Sequence, residues 1–276
     1  MEISLEVKNL YKYYKDNCIL ENINIEINKK EFVGIIGKSG SGKSTLLKII
    51  AGIEKPTQGE VILQGRKIDS PTYDISYLFQ DYRLFPWLNV IDNVTFYIRN
   101  IDISASKFYS LYERTLYYME TLGIAERSKS YPHELSGGLK QRVALCRALS
   151  TSPKVLLLDE PSSALDMFTA ITSWTLLRRI FLEVRDTIFI VVSHNLDEVT
   201  FLCDRIIVLG GSPGKVIDDI RVPRSSFQED ISLEYMFSEE FINTKKIIAH
   251  KLFSINEDKL IKLDKDDESP LSYVQE

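Results

Sequence analysis

The stretch Gly37-Lys38-Ser39-Gly40-Ser41-Gly42-Lys43-Ser44-Thr45 constrains this chain more than any other. An apolar run, Phe32 to Ile36, leads into it, and Leu46 to Ala51 leave it with no proline in the way. The pattern is strand, glycine loop, helix, the context in which such a loop cradles an anion. Gly37, Gly40 and Gly42 let the backbone curl with its N–H groups inward, and the helix N-terminus adds the positive end of a dipole. Lys43 supplies a point charge for the β- and γ-phosphates of a nucleotide, and the Ser44 hydroxyl is a ligand for Mg2+. The competing reading is a solvated Gly/Ser turn carrying a surface lysine, and the strand and helix on either side argue against it.

Composition narrows the rest. A chain of 276 residues buries a sizeable core as one large α/β domain, or as a domain with an appendage. The net charge of −5 offers no general attraction to nucleic acid, which is not expected as a partner. The start, Met1 to Glu6, lacks the basic-then-apolar pattern of a leader, and the longest apolar runs, Val155 to Leu158 and Ile188 to Val192, are of strand length. Cys18, Cys146 and Cys203 are widely spaced, with no C-x-x-C, and suit a reducing compartment better than a disulfide framework or a zinc site. A soluble, intracellular chain is predicted.

Alternation marks strands at Leu5 to Leu10 and Ile23 to Ile27, with Tyr11, Tyr13 and Tyr14 between them and a turn at Lys15 to Asn17. One tyrosine could stack on a nucleobase; composition alone favours the plainer reading that all three, as ordinary strand residues, cover a sheet edge. Further strands are expected at Glu60 to Leu63 and Ile75 to Phe79, the latter ending at Gln80, followed by an irregular segment from Asp81 to Trp87 with exposed aromatics. From about 88 to 150 the pattern is helical. One helix over Ser106 to Leu122 has Phe108, Leu111, Tyr112, Leu116, Met119 and Leu122 as its apolar residues, and another opens at Leu135-Ser136-Gly137-Gly138. Val155 to Leu158 reads as a central parallel strand, ending in Asp159-Glu160. After it come a helix, the strand Ile188 to Val192 with Ser193-His194, a short helix, and strands from Arg205 and Lys215. Beyond Pro223 an amphipathic helix over Ser238 to Phe253 is expected, with Phe241, Ile242, Ile248, Ala249, Leu252 and Phe253 on one face, then a loose tail.

Taken in order, the phosphate loop, Gln80, Leu135-Ser136-Gly137-Gly138, Asp159-Glu160, Ser163-Ala164-Leu165-Asp166 and His194 resemble the ATP-binding subunit of an ABC transporter over residues 3–222. The resemblance implies a P-loop NTPase core with an antiparallel β part and an inserted α-helical subdomain at about 88–150. Residues 223–276 are then a C-terminal extension. It implies ATP and Mg2+ as ligands: Gly37 to Thr45 on the phosphates, Tyr14 on the adenine, and Ser44, Gln80 and, through water, Asp159 at the metal. Glu160 would polarise the attacking water, with His194, Gln80 and Lys43 at the reacting phosphate. Leu135 to Gly138 would act in trans on ATP held by a second copy in a head-to-tail dimer, and Asp166 would lie in the loop linking the two sites. His133 and His250 match no such position.

Leu139 stands where the commonest signature has Gln, a substitution familiar in importers resembling those for nitrate, taurine and alkanesulfonates. Leu84 to Val94 and Ser212 to Val216 point the same way, whereas Ser162-Ser163 departs from that group. The expected function is an ATPase that powers an importer at the cytoplasmic side of a membrane. Integral permease subunits and a solute-binding protein would be its partners. A soluble ABC ATPase outside transport and a non-catalytic regulatory cassette are the alternatives. The first usually carries two cassettes or a long coiled-coil insertion, and intact Lys43, Asp159, Glu160 and His194 weigh against the second. The run Leu84-Phe85-Pro86-Trp87 is expected to help line a groove for a permease helix, or else to pack the subdomain.

Overall fold

The computed structural model describes residues 3–184, 186–223 and 233–266. β1 (Ile3–Tyr14) and β2 (Asn17–Asn28) pair antiparallel across the turn at Lys15 and Asp16. The tyrosines are therefore the end of a strand rather than a link between two, because the ladder persists to the pair Tyr14 and Asn17. β3 (Phe32–Gly37) enters the phosphate loop, which hands over to α1 (Lys43–Ile50). β4 (Gln58–Leu63) and β5 (Arg66–Lys67) return to β1, so among the described residues one sheet is antiparallel with order β2-β1-β4-β5.

The second sheet opens with β6 (Ile75–Leu78) and is interrupted by a helical block, α2 (Val90–Asn100), α3 (Ala105–Thr121) and α4 (Gly137–Ser150). It resumes with β7 (Val155–Asp159), α5 (Met167–Glu183), β8 (Ile188–Ser193), α6 (Leu196–Leu202), β9 (Arg205–Gly210) and β10 (Lys215–Arg221). Its order among the described residues is β10-β9-β3-β8-β7-β6, parallel throughout except for β10 at the edge. β3, β7 and β8 are buried at every position, as strands covered on both faces must be. Alternate residues serve two cores. Phe32, Ile36, Leu156, Leu158, Phe189 and Val191 pack with the helices of one face, and Val33, Ile35, Leu157 and Ile190 pack with α1 and the antiparallel sheet.

Two helices bury only part of the expected stripe, Leu111, Met119 and Leu122 in one and Phe241 and Ile248 in the other. In α3 the buried residues are Leu111, Thr115, Tyr118 and Met119, while Leu116 is 39% exposed. The helix meets α4 through Thr115, whose carbonyl lies 3.7 Å from Cys146 Sγ, so the inner line runs one position away from Leu116. In α7 (Glu239–Asp266) the buried line is Phe241, Thr244 and Ile248, and Ile242 faces outward. The helix also runs past Phe253, into the stretch read as a loose tail, whose remainder lies outside the described residues. The aromatics of the segment Asp81 to Trp87 are not uniformly exposed either: Tyr82 is buried, Phe85 half-buried, and Trp87 stands clear at 70% exposure.

The C-terminal segment shares the main core. Tyr235 is fully buried, 6.4 Å from the ring of Phe201 and 5.3 Å from that of Phe241. Lys245 pairs with Asp197 at 2.5 Å and Lys251 with Asp218 at 3.0 Å. Tyr235→Ala should therefore cost about 3–5 kcal/mol in denaturant unfolding, the scale for deleting a buried aromatic ring. Phe237→Ala, two residues away and 80% exposed, should cost less than about 0.5 kcal/mol. Equal effects of the two would mean that this segment does not pack as described.

Candidate nucleotide site

Gly42, the residue before α1, has φ +86°, and a Cβ there would stand 2.6 Å from Leu20 Cδ2. A Cβ on Gly37 would stand 2.2 Å from the carbonyl of Leu209. Only glycine fits either place. Ser39 and Gly40 form the exposed crest of the loop, and Ser41 is buried beneath it. Lys43 turns back into the loop, where its Nζ donates to the carbonyls of Gly37 and Lys38, both at 2.8 Å. Burial lowers its pKa, against the opposing pull of the Glu160 and Asp159 carboxylates.

Those carboxylates arrive from β7. Asp159 Oδ1 accepts the Ser44 hydroxyl at 2.9 Å, and Oδ2 accepts the Tyr77 phenol at 2.7 Å. Burial, then the Asp159 charge, pushes the Tyr77 hydroxyl far above the usual phenol range, so it stays a donor. Glu160 continues the ladder by one bond, its N–H donating to Val192 at 2.9 Å, and then adopts φ +47°. A left-handed conformation costs a non-glycine residue about 1–2 kcal/mol and turns the chain sharply out of the strand. In this conformation Glu160 Oε2 accepts from Gln80 Nε2 at 3.2 Å, and Oε1 lies 3.3 Å from His194 Nδ1. Gln80 also reaches Ser163 Oγ at 3.2 Å. Lys43, Ser44, Asp159, Glu160, Gln80 and His194 thus form one constellation.

The other predicted residues lie apart from it. Tyr14 is exposed at the tip of β1, its hydroxyl bonded to Glu54, with Lys12 Nζ 4.9 Å from the ring centroid. Thr45 also engages that hydroxyl, which places Tyr14 over the start of α1. Ser136 caps α4 by accepting the N–H of Leu139 at 3.4 Å; Leu135 is buried behind it. A Cβ on Gly138 would meet Thr169 of α5 at 3.0 Å, and one on Gly137 would be 3.9 Å from Leu165. Asp166 caps α5, accepting Thr169 N at 3.0 Å and Thr169 Oγ1 at 2.6 Å, which holds its carboxyl below the usual range. Sequence reading missed Tyr77 and the buried Glu198. Tyr77 had one available signal, a phenol three residues before Gln80 in the strand that flanks Val155 to Asp159.

An anion cradle at the end of a central parallel strand, with an acidic pair leaving a strand of the same sheet, is the site of a P-loop ATPase. The chain belongs to the ABC transporter family, whose model matches residues 20–163, just over half of it. It is 40% identical over 239 residues to the aliphatic sulfonates import ATP-binding protein SsuB of Bacillus cereus, covering 82% of this chain and 92% of that protein. It is 40% identical over 203 residues to the nitrate import ATP-binding protein NrtD of Synechocystis, covering 74% and 75%. The fold superposes with TM-score 0.68 and 31% identity on a dimeric, post-hydrolysis structure of the ATP-binding cassette MJ0796 bound to ADP and Pi, covering 80% of this chain and 99% of that one.

Lys43→Ala should lose nucleotide affinity by at least about tenfold, because a charge-assisted bond to phosphate is worth roughly 1.5–3 kcal/mol. Fluorescent-ATP titration reads this directly. Unchanged affinity would remove the loop from the site.

Proposed function

We propose that this chain is the ATP-hydrolysing subunit of a multi-subunit importer for a small anion of the sulfonate or nitrate kind, working as a head-to-tail pair beneath separate permease subunits. The observation that carries the reading is the bridge Gln80–Glu160–His194 beside the pair Ser44–Asp159, five side chains from three strand ends and a helix start meeting at the phosphate loop. Phosphoryl transfer needs positioning and charge stabilisation more than covalent chemistry, and this set supplies both.

An entering phosphate competes with the carbonyls of Gly37 and Lys38 for Lys43 Nζ, and its charge favours it. Ser44 Oγ and Asp159 Oδ1, 2.9 Å apart, are the kind of oxygen donors a hard cation takes, and they would hold Mg2+ together with Gln80, Asp159 through water. When bound, Mg2+ neutralises charge on the phosphates. Glu160, oriented by Gln80 and His194, polarises water, and His194 donates toward the γ-phosphate. Ser136 to Gly138 of the second copy close the site, with Asp166 in the loop between the two halves. Closure assembles the site on ATP and hydrolysis releases it.

Coupling falls to the groove of about 550 Å³ behind Gln80, lined in part by Tyr73, Tyr77, Phe79, Arg83, Phe85 and Tyr97. Its mixture of aromatic walls and polar tips suits a short permease helix at the cytoplasmic face of the membrane. A solute-binding protein would deliver the anion on the other side. Phe85 and Trp87 divide the tasks that sequence assigned to them together. Phe85 is half-buried against Phe96 at 4.5 Å, with its backbone clamped by the buried Asn93, whereas Trp87 leans on the Phe85 ring at 5.6 Å and stays 70% exposed.

Glu160→Gln should bind ATP like the parent but not hydrolyse it, and ATP should then trap a dimer visible on sizing. Hydrolysis at the parent rate would sink the assignment. Trp87→Ala should leave the isolated subunit's stability and basal ATPase unchanged while weakening permease binding by about 2 kcal/mol, as anchor aromatics do. A complex as tight as the parent's would take Trp87 out of the interface.

A further inference from the structure

Glu198 of α6 is a carboxylate with 1% exposure and, among the described residues, no lysine or arginine paired with it. Its Oε1 accepts Ser162 Oγ at 2.6 Å and Trp174 Nε1 at 3.0 Å, and its Oε2 accepts Ser193 Oγ at 2.6 Å. The donors themselves are fixed: Ser162 Oγ accepts from Trp174 Nε1 at 3.1 Å and Ser193 Oγ from the N–H of Asn195 at 3.0 Å. A buried carboxylate is a poor packing residue, and an apolar side chain of similar size usually stabilises a core better. What it offers instead is two rigidly spaced acceptors.

The three donors come from three places that matter. Ser162 lies two residues past Glu160, Ser193 immediately precedes His194, and Trp174 stands on the helix that Asp166 caps. Glu198 also lines a cavity of about 320 Å³ together with Glu160, Ser163, His194 and Asn195. We propose that Glu198 is a positioning residue for hydrolysis: it pins the chain after Glu160 to the chain before His194, and ties both to the helix of the Asp166 loop. It sets the 3.3 Å approach of Glu160 to His194 without touching nucleotide. The proposal rests on the reading of Glu160 and His194 given above.

Glu198→Gln keeps the shape but replaces one acceptor oxygen with an NH2 donor, leaving a serine O–H with nothing to donate to. Purified full-length variants Glu198→Gln, Ser162→Ala and Ser193→Ala should bind fluorescent ATP as tightly as the parent. Their single-turnover hydrolysis rates should fall, by about tenfold or more for Glu198→Gln, the usual effect of losing a group that orients an active-site residue. The double variant Glu198→Gln/Ser162→Ala should be no slower than Glu198→Gln alone, because both remove one bridge. If Glu198→Gln fails to fold, the two serine variants carry the test. A parent-like rate in folded Glu198→Gln overturns the proposal, and so does a loss of rate matched by an equal loss of ATP affinity, which is the mark of a packing role. Glu160→Gln measured alongside keeps the two readings distinct. If it hydrolyses normally, the assignment of Glu160 fails by itself, and any slowing by Glu198→Gln must then run by another route, which also overturns this one.

Discussion

Parallel pairing sets the level at which three strands end. Ile36 of β3 lies opposite Ser193 of β8, and Val192 of β8 lies opposite Asp159 of β7. The residues that follow are Gly37, His194 and Glu160, so the phosphate loop, the histidine and the acidic pair leave the sheet side by side. No long loop has to be ordered to bring them together, and that ordering entropy is already met by the buried strands. β3 then turns sharply through the glycines of the phosphate loop, and β7 through the left-handed Glu160 beside it. The site tolerates this strain because the aliphatic residues behind it admit no other register.

This arrangement explains what the sequence disclosed and what it withheld. The phosphate loop, Asp159-Glu160 and His194 were legible because each follows an apolar run and carries its chemistry within a few consecutive residues. Tyr77 and Glu198 were not, since their partners lie across the fold: Tyr77 meets Asp159 through the pairing of β6 with β7, and Glu198 gathers Ser162, Trp174 and Ser193 only once α5 and α6 have packed. A tyrosine in a strand and a glutamate in a helix are unremarkable until that packing is known. The exposure of Leu116 in α3 and of Ile242 in α7 has a related cause. Each helix offers apolar side chains on two neighbouring lines, and the docking partner, α4 for one and α6 for the other, decides which is buried.

The acidic end of the site is held by neutral groups. Ser44 and Tyr77 bond Asp159, Gln80 bonds Glu160, and Ser162, Ser193 and Trp174 bond Glu198. Such donors fix carboxylates without cancelling their charge. Lys43 places a cation among them, with its ammonium parked on two backbone carbonyls. An arginine in its place would form a bidentate bridge to a carboxylate and block the cradle. A lysine bonded to carbonyls remains exchangeable toward phosphate.

α4 is gripped from two sides of this centre. Near its C-terminal end, Arg147 Nη2 donates to the carbonyl of Tyr82, two residues past Gln80, at 2.8 Å, and its guanidinium lies 5.2 Å from the Phe85 ring. Nearer its start, Gln141 Nε2 donates to the carbonyl of Pro161, directly after Glu160, at 2.9 Å, and Gln141 Oε1 accepts from Ser173 of α5 at 2.8 Å. One helix is therefore bonded to both chain segments that follow Gln80 and Glu160, while its N-terminus presents Ser136 and its C-terminal half backs the aromatic groove. Because buried bonds of this kind break at a cost and do not stretch, a shift at Gln80 or Pro161 has to move α4 as a body. The groove and the signature stretch then move with it. On the function proposed above, coupling between nucleotide, second copy and permease would be a property of how this single helix is held.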